Sequence, residues 1–273
     1  HELAELMVGS ELPTPSTEPR VADDHVTLAV RDLSVLDGSD RPTLDRVSLD
    51  VHRGEIVGVA GVEGNGQGEL IEAILGLRQT SGGQLLLDGE DIGHWPVRRR
   101  REAGIGYVPE DRHRRGLLLD APLWENAMLG HQTMAPFARG PFLDRSGARS
   151  ATTRIVEHFD VRTPGIDTSA RALSGGNQQK LVIGREMAAS PRLLVAAHPT
   201  RGIDVGAQAS VWADLRAARR EGLAMLLVSA DLEELIGLAD RLVVMLRGRV
   251  VAELDPATTT PRILGGYMTG ADE

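Results

Sequence analysis

Residues 61–70 read GVEGNGQGEL and follow the apolar run EIVGVA, which has the character of a strand ending where a glycine-rich loop begins. A loop that cradles phosphate has the pattern GxxxxGK[ST]. Backbone N–H groups and a helix N-terminus surround the β-phosphate, while Lys and Ser/Thr serve the γ-phosphate and Mg²⁺. Gly61, Gly64 and Gly66 fit that spacing, but Gln67 stands in the lysine position and Gly68 in that of the hydroxyl. The backbone shape is kept and the charge is lost. Two unit charges about 4 Å apart at an effective dielectric of about 20 interact by roughly 4 kcal/mol, so loss of the lysine weakens phosphate binding by orders of magnitude. Glu63 adds a negative charge inside the loop. Gln67 still offers a neutral donor, and backbone amides alone leave room for weak phosphate binding. The same glycines equally suit a strand-to-helix turn that needs them only for its backbone.

A second segment with chemical potential is LSGGNQQK at 173–180. Ser174 is placed as a helix N-cap, and Gly175 and Gly176 leave the first N–H groups of that helix open to an anion. This would be an anion site without a lysine.

The elements that must position these groups follow from hydrophobic period. VTLAVRDL and VSLDV read as an antiparallel pair, and EIVGVA opens the unit that carries the loop and a helix over 66–77. Later come LLVAA, a helix over 206–221, AMLLVS, a helix over 231–239, RLVVML and RVVAEL. Short apolar strands alternating with helices predict a parallel sheet covered on both faces. The stretch from about 92 to 172 is Arg-rich and largely helical in pattern, with breaks at APFARGPF, and is expected to be an inserted helical subdomain. At the N-terminus HELAELMVGS reads as an amphipathic helix and ELPTPSTEPR as a linker. LMVGSE near the start echoes YMTGAD near the end, so residues 1–25 are expected to be the last helix of a preceding homologous domain plus its linker. A first residue His1 rather than Met is expected of a segment of a longer chain.

Composition narrows the classes. With 273 residues and 41% hydrophobic content the chain supports one large α/β domain or two modest ones. A net charge of −9 argues against a nucleic-acid partner, and the basic runs VRRRREAG and EDRHRRG read as solvated faces. The absence of cysteine removes disulfides, thiolate metal sites and a thiol nucleophile, and suits a reducing compartment. No apolar run approaches the roughly 20 residues that span a bilayer, so any membrane role is expected to come through a partner.

LSGGNQQK downstream of the glycine loop resembles the signature of an ABC-transporter nucleotide-binding domain, and the resemblance extends over residues 26–269. It implies a P-loop NTPase-type α/β fold over 26–270, with a parallel core sheet, an antiparallel β subdomain and the inserted helical subdomain. It also implies that the signature faces ATP held by an opposite domain. The other family motifs lie in order. VPEDR (108–112) occupies the Q-loop, with Glu110 in place of the glutamine that touches magnesium and the transport partner. LLVAAHPTRGID (193–204) carries Ala197 for the Mg²⁺-organising Asp and His198 for the Glu that activates water, while Asp204 keeps the D-loop. Ala230 replaces the switch histidine, and LSVLDGSDRP lacks an aromatic for adenine.

With lysine, hydroxyl, magnesium carboxylate, base and switch absent together, no catalytic residue is expected in cis and no metal ligand is assigned. His198 without Mg²⁺ and lysine has no polarised phosphate to act on. GVEGNGQ, VPEDR, LSGGNQQK and PTRGIDVGA together resemble the second half of tandem ATPases that energise simple-sugar and nucleoside import, and SADLEE leans toward the nucleoside branch. The resemblance implies that Ser174, Gly175, Gly176 and Gln178 close over ATP and Mg²⁺ held mainly by the first nucleotide-binding domain of the same parent chain. The segment 92–172 is then expected to dock on a transmembrane permease, at the cytoplasmic face of a bacterial membrane, with no insertion into it. Two alternatives remain: a regulatory or structural domain that docks on the permease without touching nucleotide, and a soluble ABC protein outside transport.

Overall fold

The elements begin where alternating side chains give way to continuous apolar runs. In the computed structural model, which describes residues 23–271, they are in chain order β1 (Val26–Leu36), β2 (Pro42–His52), β3 (Ile56–Ala60) and α1 (Gln67–Leu75). Next come β4 (Gly82–Leu87), β5 (Glu90–Asp91), α2 (Val97–Glu102), β6 (Ile105–Val108), α3 (Leu123–Ala127), β7 (Ala138–Arg139) and β8 (Phe142–Leu143). The chain continues through α4 (Arg145–His158), α5 (Gly175–Ala188), β9 (Leu193–Ala197), α6 (Val205–Arg220), β10 (Ala224–Val228), α7 (Leu232–Leu238), β11 (Arg241–Leu246), β12 (Arg249–Leu254) and α8 (Pro261–Thr269). The terminal helix and linker expected over residues 1–25 fall almost wholly outside the described residues, as do Asp272 and Glu273.

The chain divides into two units. One holds residues 23–105, Arg192–His198 and 216–271. Its antiparallel sheet has the order β2-β1-β4-β5, with Val30 opposite Leu49 on one side and Leu85 on the other. Its second sheet belongs to the order β12-β11-β3-β10-β9-β6. β3, β9 and β10 are buried at every position and pair in parallel, as strands covered on both faces must. Beyond β11 the sheet gains an antiparallel edge, because Arg247 and Gly248, at φ 49 and 76, turn the chain straight back into β12.

α2 corrects one expectation. The run VRRRRE is not a solvated face throughout: Arg98 and Arg99 are exposed, but Arg100 is only 2% exposed. Its guanidinium donates to Ala73 O at 2.6 Å, Ile74 O at 2.7 Å and Gly93 O at 3.0 Å, so one arginine satisfies the open carbonyls at the end of α1. That ties residues 97–102 to this unit.

The other unit holds Gly106–Pro191 and Pro199–Leu215. It overlaps the insertion expected over 92–172 and also takes in α5 and the start of α6. It includes a π-helical turn, Arg112–Gly116, and a short hairpin, β7–β8, at the break read in APFARGPF. Phe137, Ala148 and Ala151 form a small core with Trp124 and Met128 against it. α4 and α5 approach closely at Gly184, where a Cβ would lie 2.7 Å from Phe159 Cδ2 and 2.8 Å from Ile155 Cγ2. Among the described residues no helix is long and apolar enough to cross a membrane.

Candidate functional site

Two groups of residues carry the candidate chemistry, one in each unit. In the first, β3, β10 and β9 are parallel neighbours, with Val59 opposite Val228 and Val228 opposite Ala197. The loop after β3, Ala230 after β10 and His198 after β9 therefore share the C-terminal edge of the sheet, where open α/β sheets bind ligands.

The loop at 61–68 has the shape expected from its glycines. Gly64 and Gly66 adopt φ 90 and 105, and α1 starts at Gln67 without a side-chain cap. A Cβ on Gly61 would lie 2.2 Å from Gln67 Nε2 and 2.7 Å from Met245 O, so only glycine fits there. Asn65 braces the loop: its Oδ1 accepts from Arg247 N at 2.7 Å, its Nδ2 donates to Val62 O at 2.9 Å and its carbonyl accepts from Gly248 N at 3.0 Å. Gln67 is 7% exposed, and its Nε2 donates inward to Val62 O at 3.2 Å. Its amide thus closes the loop on itself and adds no charge. Gly68 has open space where a side chain would project.

At the same edge His198 adopts φ 48, its N–H donates to Val228 O at 2.7 Å, and its Nδ1 accepts from Ala230 N at 3.2 Å. An accepting Nδ1 requires the neutral ring with the proton on Nε2. His198 at the end of β9 and Ala230 after β10 are therefore latched to each other. Ala197 contributes only a buried methyl group, and Glu63 is an exposed carboxylate. Among the described residues no cluster of His, Asp or Glu could hold a metal ion. Around this loop the left-handed glycines give a backbone shape that suits an anion, and Gln67, Gly68 and Ala197 stand where the sequence resemblance expected a lysine, a hydroxyl and a carboxylate.

The second group is built differently. Ser174 is exposed and caps α5, its Oγ accepting from Asn177 N at 3.4 Å and from Asn177 Nδ2 at 2.9 Å. Asn177 Oδ1 in turn accepts from Arg162 N at 2.8 Å. The two glycines have packing reasons. A Cβ on Gly175 would meet Arg112 Nη2 at 2.8 Å, and one on Gly176 would meet Ala207 Cβ at 2.8 Å. Asp204 is exposed, and its Oδ1 accepts from Ala207 N at 2.9 Å at the start of α6.

Gln178 stands apart from its neighbours in the sequence-based set. It is 5% exposed, its Nε2 donates to Ala170 O at 3.0 Å, and its Oε1 accepts from His113 Nε2 at 2.8 Å. A side chain saturated inside the protein is not on offer to a ligand at the helix N-terminus, so its place in the group is internal support. Arg112, His113, Asn177 and Arg201 belong to the group and escaped the sequence reading. Arg112, Asn177 and Arg201 lay inside the motifs VPEDR, LSGGNQQK and LLVAAHPTRGID without being singled out, and His113 only inside the charge run EDRHRRG.

The fold is that of an α/β ATP-binding cassette. Its fold matches a nucleotide-free ATP-binding cassette from an ABC transporter at a TM-score of 0.76 and 21% identity, covering 89% of this chain and 98% of that one. The family model described as "ABC transporter" matches residues 44–201, and the chain belongs to the ABC transporter family. It is 45% identical over 273 residues to the guanosine import ATP-binding protein NupO of Bacillus subtilis (strain 168), covering 100% of this chain and 53% of the relative. It is 41% identical to the nucleoside import ATP-binding protein NupA of Lactococcus lactis subsp. cremoris (strain MG1363), covering 99% of this chain and 54% of the relative. The glucose import ATP-binding protein TsgD13 of Haloferax volcanii is 42% identical, covering 100% of this chain and 50% of that protein. The chain thus spans about half the length of the curated relatives it matches.

Proposed function

We propose that this chain is the second nucleotide-binding domain of a tandem ATPase that drives nucleoside or simple-sugar import, and that it acts in trans. Ser174, exposed at the start of α5, with the backbone of Gly175 and Gly176 behind it and with Asp204, closes over Mg-ATP held by the other domain of the pair. The observation that carries this reading is the contrast between the two groups. At one edge Gln67, Gly68 and Ala197 stand where a lysine, a hydroxyl and a carboxylate are expected, and His198 is latched to Ala230. The other presents a capped helix start beside an intact D-loop aspartate. Phosphoryl transfer depends on charge stabilisation, so the first edge is suited to little more than weak anion binding. The solute class follows the chain's similarity to the guanosine import ATP-binding protein NupO and the nucleoside import ATP-binding protein NupA. The permease sits in the membrane and this domain on its cytoplasmic face.

The test is ATP turnover by the complete transporter. Ser174→Arg fills the helix mouth and is expected to cut turnover by about 100-fold or more, while Gln67→Ala leaves it within about twofold. Equal losses from the two substitutions would overturn the reading. Full turnover in Ser174→Arg would favour a domain that docks on the permease without touching nucleotide.

A further inference from the structure

The segment that resembles the Q-loop does something the family resemblance does not assign. Asp111 caps the turn Arg112–Gly116, its Oδ1 accepting from His113 N at 3.0 Å and Arg114 N at 3.1 Å, so the backbone at Arg112 is fixed. From that point the Arg112 guanidinium reads two successive carbonyls of the PTRG segment, with Nη1 donating to Arg201 O at 2.9 Å and Nη2 to Gly202 O at 3.2 Å. Its Nε donates to Gln178 Oε1 at 3.4 Å, on the same oxygen that His113 binds. Its outer nitrogen covers the α-carbon of Gly175 so closely that a Cβ there would be 2.8 Å away. Glu110, two residues earlier, forms an ion pair with the Arg201 side chain. Residues 110 and 112 therefore grip residue 201 by both its side chain and its carbonyl.

We propose that Arg112 is the positioning residue of the signature face: its planar fork joins the start of α5 to the PTRG segment and D-loop. In this arrangement the Glu110–Arg201 pair replaces a nucleotide-sensing contact with a fastener that needs neither ATP nor metal. The proposal rests on the trans reading above and deepens it. A fork of parallel N–H donors can span adjacent carbonyls, whereas a lysine ammonium on a flexible stem cannot hold both in a fixed plane. Glu110 is engaged by a cation, so its carboxylate is committed within the protein. The consequence is that the trans face is assembled before ATP arrives.

The experiment uses the complete transporter. Arg112→Lys keeps the charge and is expected to lower kcat about 10-fold with KM for Mg-ATP within about twofold, because the ATP itself is held by the other domain. Glu110→Arg and Arg201→Glu are each expected to lower kcat several-fold, and the double swap to recover most of it, a rescue that a general packing defect would not show. Deuterium uptake at residues 199–207 is expected to accelerate about fivefold in Arg112→Lys, and in the wild type to be the same with EDTA as with Mg²⁺. Wild-type kcat and exchange in Arg112→Lys would overturn the proposal, as would a double swap no better than its parents. Should Arg112→Lys fail to fold, the swap at the exposed positions 110 and 201 still decides. If Ser174→Arg abolishes turnover and Arg112→Lys leaves kcat unchanged, only this proposal fails. If Ser174→Arg leaves turnover intact, the trans reading fails, and the exchange result alone judges the fastener.

Discussion

At the scale of single residues the glycine loop separates conformation from contact. Gly64 and Gly66 both adopt left-handed backbones, at φ 90 and 105. A Cβ on Gly64 has nothing within 4 Å, whereas one on Gly66 would meet Leu44 Cδ2 at 2.9 Å, Thr43 O at 3.0 Å and Gly248 Cα at 3.1 Å. Gly64→Ala is therefore expected to cost about 1 kcal/mol, the strain alone, and Gly66→Ala about 2–4 kcal/mol because β2 and the β11–β12 turn must also give way. Urea midpoints of the two variants check the order, and equal losses would mean that backbone strain accounts for both. His198 shows the same economy two strands away, at the end of β9. A residue read from sequence as a failed base is placed by its backbone and ring as a support for Ala230.

At the scale of elements, the parallel strands are tied at their N-terminal ends by buried charges. Glu55, fully buried before β3, accepts from His52 N at 2.7 Å, His52 Nδ1 at 2.8 Å and Arg241 Nε at 3.1 Å. Burial pushes its pKa up, but the His52 N–H and Arg241 overcome that, leaving it below the ordinary carboxylate value. A lowered folded pKa gives stability that is present above the unfolded pKa and lost as pH falls through the folded one. Glu55→Gln is therefore expected to cost about 3 kcal/mol at pH 7 and progressively less below about pH 4. A deficit constant from neutral to acid pH would show that the ionised carboxylate is not what ties β2, β3 and β11. Asp240 has the opposite sign. Burial raises its pKa despite bonds from Ile56 N and Arg219, so its contribution is fully present below the unfolded pKa and fades as pH rises through the folded value.

At the scale of the whole molecule the proposed division of labour predicts silence from this chain alone. Calorimetric titration of Mg-ATP into it is expected to give no binding tighter than about 1 mM, since backbone amides without lysine or metal are the only phosphate ligands on the loop. Adding the domain proposed as its partner is expected to produce tight binding and turnover. Tight binding by the chain alone would mean that Gln67, Ala197 and His198 have been misread.

The period of apolar residues and the placement of glycine determined much from the sequence alone: β3 and the loop after it, β9 and β10, and the Ser174 cap. These are local properties, set by backbone conformation and residue type within a few positions. The sequence could not say that Arg100 leaves its charged run to close α1, that Gln178 turns away from the helix mouth, that His198 latches Ala230, or that Arg112 grips a loop 89 positions away. Whether a polar side chain serves solvent, ligand or protein is decided by the donors and acceptors that packing brings within about 3 Å of it, and those come from distant segments that no local pattern encodes.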